Sequence, residues 1–85
     1  MARVGSMKNY TRIRVVFEDG TAFYISEDEL IAIKLSGEYK YIEYWNDKGQ
    51  LHRLDGAAVE YADGSKGWWV NGQIQATYRD AHGRV

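Results

Sequence analysis

The stretch from Glu38 to Ile74, EYKYIEYWNDKGQLHRLDGAAVEYADGSKGWWVNGQI, decides the fold. Short runs rich in aromatic and β-branched residues are interrupted by Asn46-Asp47-Lys48-Gly49, Asp55-Gly56, Asp63-Gly64 and Asn71-Gly72. Asn, Asp and Gly tolerate positive φ, so such dipeptides close hairpins, and strands punctuated this often form a β-meander. The expected strands are Lys40–Trp45, a short return at Gln50–Arg53, then Ala57–Tyr61, Lys66–Val70 and Gln73–Tyr78. A further turn is expected in the tail from Arg79 to Val85.

Working outward, Thr11–Glu18 (TRIRVVFE) alternates: Ile13, Val15 and Phe17 point one way, Arg12, Arg14 and Val16 the other. A period of two with β-branched residues predicts a strand with one buried face. Asp19-Gly20 suits a type I′ turn into a return strand at Thr21–Ile25. Ser26 and Glu29 then form a capping box, with Ile25 and Leu30 placed as a hydrophobic staple. Glu27, Asp28 and Glu29 sit where a helix dipole favours negative charge. Leu30, Ile31, Ile33 and Leu35 supply an apolar stripe and Gly37 a C-cap, predicting a helix over Glu27–Ser36. The fold class is α+β: a curved antiparallel meander of about six to seven short strands in the order β-β-α-β-β-β-β-β, with that helix on one face.

Composition narrows the class. Eighty-five residues make one domain near the lower size limit for an unaided core. With no cysteine, disulfides and thiolate metal sites are excluded, and three Trp, seven Tyr and two Phe must supply the packing. The net charge of −1 gives no general pull toward nucleic acid or anionic membrane. No window approaches the ~20 apolar residues of a membrane span, so a soluble cytoplasmic protein is expected. MARVGS, ahead of Met7, reads as an expression-tag remnant, leaving residues 7–85 as the domain.

The chain also repeats itself. Tyr44–Leu51 aligns without a gap on Tyr78–Val85, Trp69–Ile74 is a shortened version, and Phe17-Glu-Asp-Gly-Thr21 matches Tyr61-Ala-Asp-Gly-Ser65. Either the hairpins are duplicated units or the turns reuse one chemistry. Over Tyr44–Gln75 the sequence resembles small, mostly uncharacterised phage and viral proteins with hairpin repeats of the form H-R-x-D-G-P-A and W-x-x-N-G, distantly MORN-like. His52, Arg53, Asp55, Gly56, Ala58, Glu60, Gly64, Trp69, Asn71 and Gly72 stand at matching positions; Ala57 replaces the usual proline, and Gln75 stands where a second His would begin another repeat. That resemblance implies a hairpin fold and a phage setting, and no reaction.

For chemistry, His52-Arg53-Leu54-Asp55-Gly56 is the densest polar cluster. Arg53 and His52 either offer hydrogen bonds to a partner, or Arg53 pairs with Asp55 or Glu60 while His52 packs between strands and satisfies a turn carbonyl. Two histidines, one of them His82 near the C-terminus, make no metal site, and the serines and threonines serve caps and turns, so neither catalysis nor a cofactor is expected. The doubled aromatics Tyr44-Trp45 and Trp68-Trp69 matter more. Strand neighbours face opposite sides, so one of each pair lies on a second sheet face, either covered by the helix or open. An open aromatic face docks a protein or stacks single-stranded nucleic acid; beyond Gly37, six basic residues are offset by seven acidic ones, which disfavours the latter. The expected function is therefore a small non-enzymatic binding protein docking a host protein, in its sharpest form an anti-CRISPR or other anti-defence inhibitor. The alternatives are single-stranded nucleic-acid binding and a self-assembling virion component pairing through an edge strand. Expected contact residues are Tyr44, Trp45, Trp68, Trp69, Arg53, His52, Asp47 and Glu60, with Glu43 on the rim.

Overall fold

A computed structural model describes residues 9–79; the expected tail turn and His82 lie outside them. The strands are β1 (Arg12–Val16), β2 (Ala22–Ile25), β3 (Tyr41–Trp45), β4 (Val59–Tyr61), β5 (Lys66–Val70) and β6 (Gln73–Tyr78), with the helix α1 (Glu27–Ser36) between β2 and β3. All pairings are antiparallel, in the order β2-β1-β3-β4-β5-β6. The α+β architecture and the helix bounds are those predicted from sequence. The crossover through α1 places β3 beside β1 rather than β2, and every other sheet neighbour is consecutive in the chain.

Gln50–Arg53 is not a strand. Only Leu51 bridges back to Trp45. Beyond it the backbone turns toward the last hairpin: the Arg53 amide donates to the Trp69 carbonyl at 3.1 Å and the Gly72 amide to the Leu51 carbonyl at 2.9 Å. The segment therefore joins β3 to the β5–β6 hairpin.

Three turns share one geometry. In Phe17–Thr21, Asn46–Gln50 and Tyr61–Ser65 the first amide donates to the fifth carbonyl and the fourth to the first, at 2.9–3.1 Å. Only the glycine at the fourth position has positive φ (91° at Gly20, 76° at Gly49, 96° at Gly64), so Asp19-Gly20 is a type I turn with a glycine bulge rather than type I′. Asp19 and Asp63 accept the amides of Thr21 and Ser65 at 2.9 and 2.8 Å, which explains why these two pentapeptides look alike. Asn71-Gly72, with φ of 49° and 79°, is the one two-residue turn of mirror type among the described residues.

The predicted capping box forms in full: the Glu29 amide donates to Ser26 Oγ at 3.1 Å and the Ser26 amide to Glu29 Oε1 at 2.8 Å. Gly37, at φ 70°, ends the helix by donating to the Ile33 carbonyl. The apolar stripe is narrower than expected. Leu30 is buried and Ile33 packs on the core, while Ile31 and Leu35 are 61% and 84% exposed. Glu27, Leu30 and Lys34 share one helical face. Tyr10 donates to Glu27 at 3.0 Å and Lys34 pairs with Glu60 at 2.9 Å, turning that face to the sheet and Leu35 to water.

Ile13, Val15, Leu30, Ile42 and Tyr44 form the core beneath α1, flanked by Tyr10, Phe17, Ile25, Ile33 and Tyr39. Val15, Ile42 and Tyr44 are wholly buried, each aliphatic stabilising by roughly 1.5–3 kcal/mol. Beyond β4 the cover ends: every residue of β6 is exposed.

Candidate functional site

Strand register sorts the doubled aromatics. Ile13 and Val15 face the helix and pair with Tyr44 and Ile42, so Tyr44 lies on the helix side and Trp45 on the other. Carried through Glu60 and Lys66, the same parity puts Trp68 on the helix side and Trp69 on the open side.

On the helix-free face, Tyr41 and Glu43 of β3, Val59 and Tyr61 of β4, Gly67 and Trp69 of β5, and Ile74 and Thr77 of β6 line a cleft of about 790 Å³. Tyr41 stands opposite Tyr61, their rings 5.3 Å apart and tilted by 51°. Val59 and Gly67 form the floor between that pair and Trp69. The indole leans back onto Gly67, where an added Cβ would meet Nε1 at 3.2 Å. Glycine in the middle of β5 thus seats the ring, which compensates its poor strand propensity. Lys66, Tyr78 and Arg79 close the Tyr61 end.

Two carboxylates line this cleft, Glu43 and Asp63, and both are engaged: Asp63 accepts the Ser65 amide at 2.8 Å, and Glu43 is held by an arginine. Arg14, directly opposite on β1, places Nε and Nη2 at 2.8 and 2.6 Å from Glu43 Oε1. That hydrogen bond raises the Arg14 pKa against the opposing effect of burial. The same guanidinium stands 5.6 Å from the Trp45 ring centre. Trp45 shares the open face with Arg12, Arg14 and Tyr24, and its buried Nε1 has no partner among the described residues.

The His-Arg-x-Asp-Gly cluster builds a joint. Arg53 lies 4.1 Å from the Tyr44 ring centre, pairs with Asp55 at 3.1 Å and Glu60 at 3.2 Å, and donates to the Ala57 carbonyl. Gly56 makes room for it, since a Cβ there would lie 2.9 Å from Arg53 Cζ. Burial works against the cation, but Tyr44, Glu60 and Asp55 more than offset it and the Arg53 pKa rises. Burial first, then Glu60, pushes the Tyr44 hydroxyl far above its ordinary range; burial and Glu27 bring Tyr10 to about 12.

His52 is buried and its Nδ1 accepts the Asn71 amide at 2.9 Å, so the ring proton sits on Nε2. The sequence suggested the opposite sense, donation to a turn carbonyl. Asn46, also buried, donates to Gln50 and Asn71 and accepts from the amides of Lys48 and Gln50. Together these tie the Asn46–Gln50 turn to the Asn71-Gly72 turn.

Of the expected contact residues, then, Trp69 lines the cleft and Trp45 shares its face. Tyr44 and His52 are interior, and Arg53 and Glu60 are spent on the joint. Trp68 is half-buried on the helix side beyond α1, beside Leu54 and Val70. Asp47 is exposed in a turn, away from the cleft lining. Tyr41, Tyr61, Gly67, Ile74 and Thr77 were missed, because alternation within one strand assigns a face only after the register between strands is known. Among the described residues no three His, Cys, Asp or Glu side chains group as metal ligands, and no helix is long and apolar enough to cross a membrane.

No family model, curated protein or solved structure matches this chain. The site must be read from its own geometry.

Proposed function

We propose that this chain is a small, non-enzymatic binding protein that docks a partner protein through its helix-free face. One observation carries the reading: Tyr41, Tyr61 and Trp69 converge on a single cleft of about 790 Å³, with Tyr61 still 42% exposed. Exposed aromatics gathered in a concavity are typical of interaction sites, where they bury large area at low entropic cost. A phage-encoded inhibitor acting on a host protein in the cytoplasm, an anti-CRISPR or other anti-defence protein, is the sharpest form. The small size and the hairpin-repeat resemblance over residues 44–75 support it.

The test is capture of a partner from host lysate by wild type, Trp69→Ala, Tyr61→Ala and, on the far side of the helix, Leu35→Ala. The partner should be lost with the first two and retained with the third. Equal capture by all four sinks the reading.

A second reading, single-stranded nucleic-acid binding, draws on the same rings, since bases stack on any aromatic face. Against it, Arg14 is neutralised by Glu43. Absence of tryptophan quenching by oligo(dT) at low salt ends it.

A further inference from the structure

We infer that the cleft takes a proline-rich segment in the polyproline II conformation, with an acidic residue at its Tyr61 end; this rests on the protein-docking reading above. Three features of the lining converge on that ligand.

The first is hydrogen-bond polarity. Among the described residues the Tyr41 and Tyr61 hydroxyls and Trp69 Nε1 have no hydrogen-bond partner, while both lining carboxylates are engaged, Glu43 by Arg14 and Asp63 by the Ser65 amide. The cleft therefore offers donors and has both of its carboxylate acceptors occupied. A proline-rich chain is the complementary case, having carbonyls but few amide hydrogens. Its left-handed helix makes no internal hydrogen bonds, so those carbonyls point outward to be bound. An added β-strand would need both donors and acceptors, and a sugar would need a free carboxylate or amide.

Length is the second. The Tyr61 amide bonds the Ser65 carbonyl, four residues before Trp69. At ~3.3 Å per residue the two aromatic ends stand ~13 Å apart along β5. The indole leans back over Gly67, two residues nearer, so the gap between the rings lies between ~7 and ~13 Å. One polyproline II turn, three residues at ~3.1 Å, is ~9 Å. Prolines one turn apart would seat one ring at Tyr41 and Tyr61 and the next on Trp69, across the floor of Val59 and Gly67. Such a ligand is already extended, so little ordering entropy opposes its binding.

Charge is the third. Arg79 lines the Tyr61 end and forms no ion pair among the described residues, while the Asp63 carboxylate beside it already accepts the Ser65 amide. An acidic residue flanking the prolines would meet its guanidinium, and that fixes the direction of the bound segment.

The probes are blocked oligoproline peptides, one plain and one carrying two aspartates at either terminus in turn, titrated into the ¹⁵N-labelled protein. Saturable shifts of the Trp69 indole resonance at sub-millimolar peptide are expected, tighter for one aspartate placement than the other. Trp69→Ala and Tyr61→Ala should weaken binding about tenfold or more, and Leu35→Ala should leave it unchanged. Gly67→Ala is a second probe that keeps the ring: its backbone angles suit alanine, but the new Cβ displaces the indole, so affinity falls in a folded protein. No binding of any oligoproline by the folded wild type overturns the inference, as does binding indifferent to all three cleft variants. Loss of a captured host partner by Trp69→Ala, with oligoproline silent, overturns the proline ligand and leaves the docking reading standing. Saturable binding of oligo(dT) instead of peptide overturns both.

Discussion

The two halves of the sheet are built by different means. In β2, β1 and β3 the helix covers a continuous apolar layer, and Ile13, Val15, Ile42 and Tyr44 are buried at 4% exposure or less. Around β4, β5 and β6 the buried residues are small or polar, Val59 in β4 and Asn46, His52, Ala57 and Ala58 in the segment that leads into it, and β6 is exposed throughout. One half is held by area removed from water and the other by a hydrogen-bonded joint between Leu51 and Gly56. A burial-based half degrades gradually as contacts are trimmed. A joint of paired polar groups fails when one member goes, because its partners are left buried and unsatisfied. The cleft lies largely over the jointed half, so its shape depends on the same few polar contacts.

Arg53→Ala should separate the halves most clearly. It removes two ion pairs and the cation over Tyr44, leaving Glu60 inside the fold with Lys34 as its remaining cation. A loss of about 3 kcal/mol is expected, with hydrogen exchange accelerating in β5 and β6 before β1 and β3. Uniform acceleration would show that the two halves unfold as one. His52→Ala orphans the Asn71 amide and empties the space of the ring, and should cost about 2 kcal/mol by denaturant midpoint. Gly56→Ala tests the joint without removing any partner. Its backbone tolerates alanine, but the guanidinium is held on three sides and must give way, for about 1 kcal/mol.

The covered half has its own probe in pH. Tyr10 is pushed up to about 12 and Tyr44 still higher. The folded state therefore keeps protons that the unfolded chain releases near 10. That contribution is complete below about pH 10 and is lost as pH rises toward 12, so Tm should fall across that window. Replacing Tyr10 by Phe should flatten the slope. The smallest effect belongs to Leu35→Lys. Its side chain is already 84% exposed, so stability should change by less than about 0.5 kcal/mol.

How much of this was legible in the sequence follows the same division. Helix limits were readable because Ser26, Glu29 and Gly37 act on backbone groups three or four residues away. Hairpin positions were readable for the same local reason. What sequence spacing could not reveal was register. Trp69 belongs with Tyr41 and Tyr61 only because two successive pairings carry parity from β3 to β5. Leu35 looked like part of a buried stripe because hydrophobicity alone does not say which side the tethers at Glu27 and Lys34 will turn inward. The sequence left the His-Arg cluster open between a partner contact and internal pairing of Arg53 with Asp55 or Glu60, because polarity in a sequence is blind to burial; the structure has both internal pairs.

The shared geometry of the three five-residue turns also bears on how the chain folds. Each closes a loop so short that its hairpin can form on the microsecond scale without help from the rest of the molecule. The pairing of β1 with β3 is different: Ile13 meets Tyr44 only after the intervening β2 and α1 have been looped out. Closing that loop is the entropically demanding event, and it coincides with formation of the apolar layer under the helix. The slow step of folding should therefore lie at the β1–β3 seam, with the C-terminal hairpins assembling early and docking onto it through Arg53.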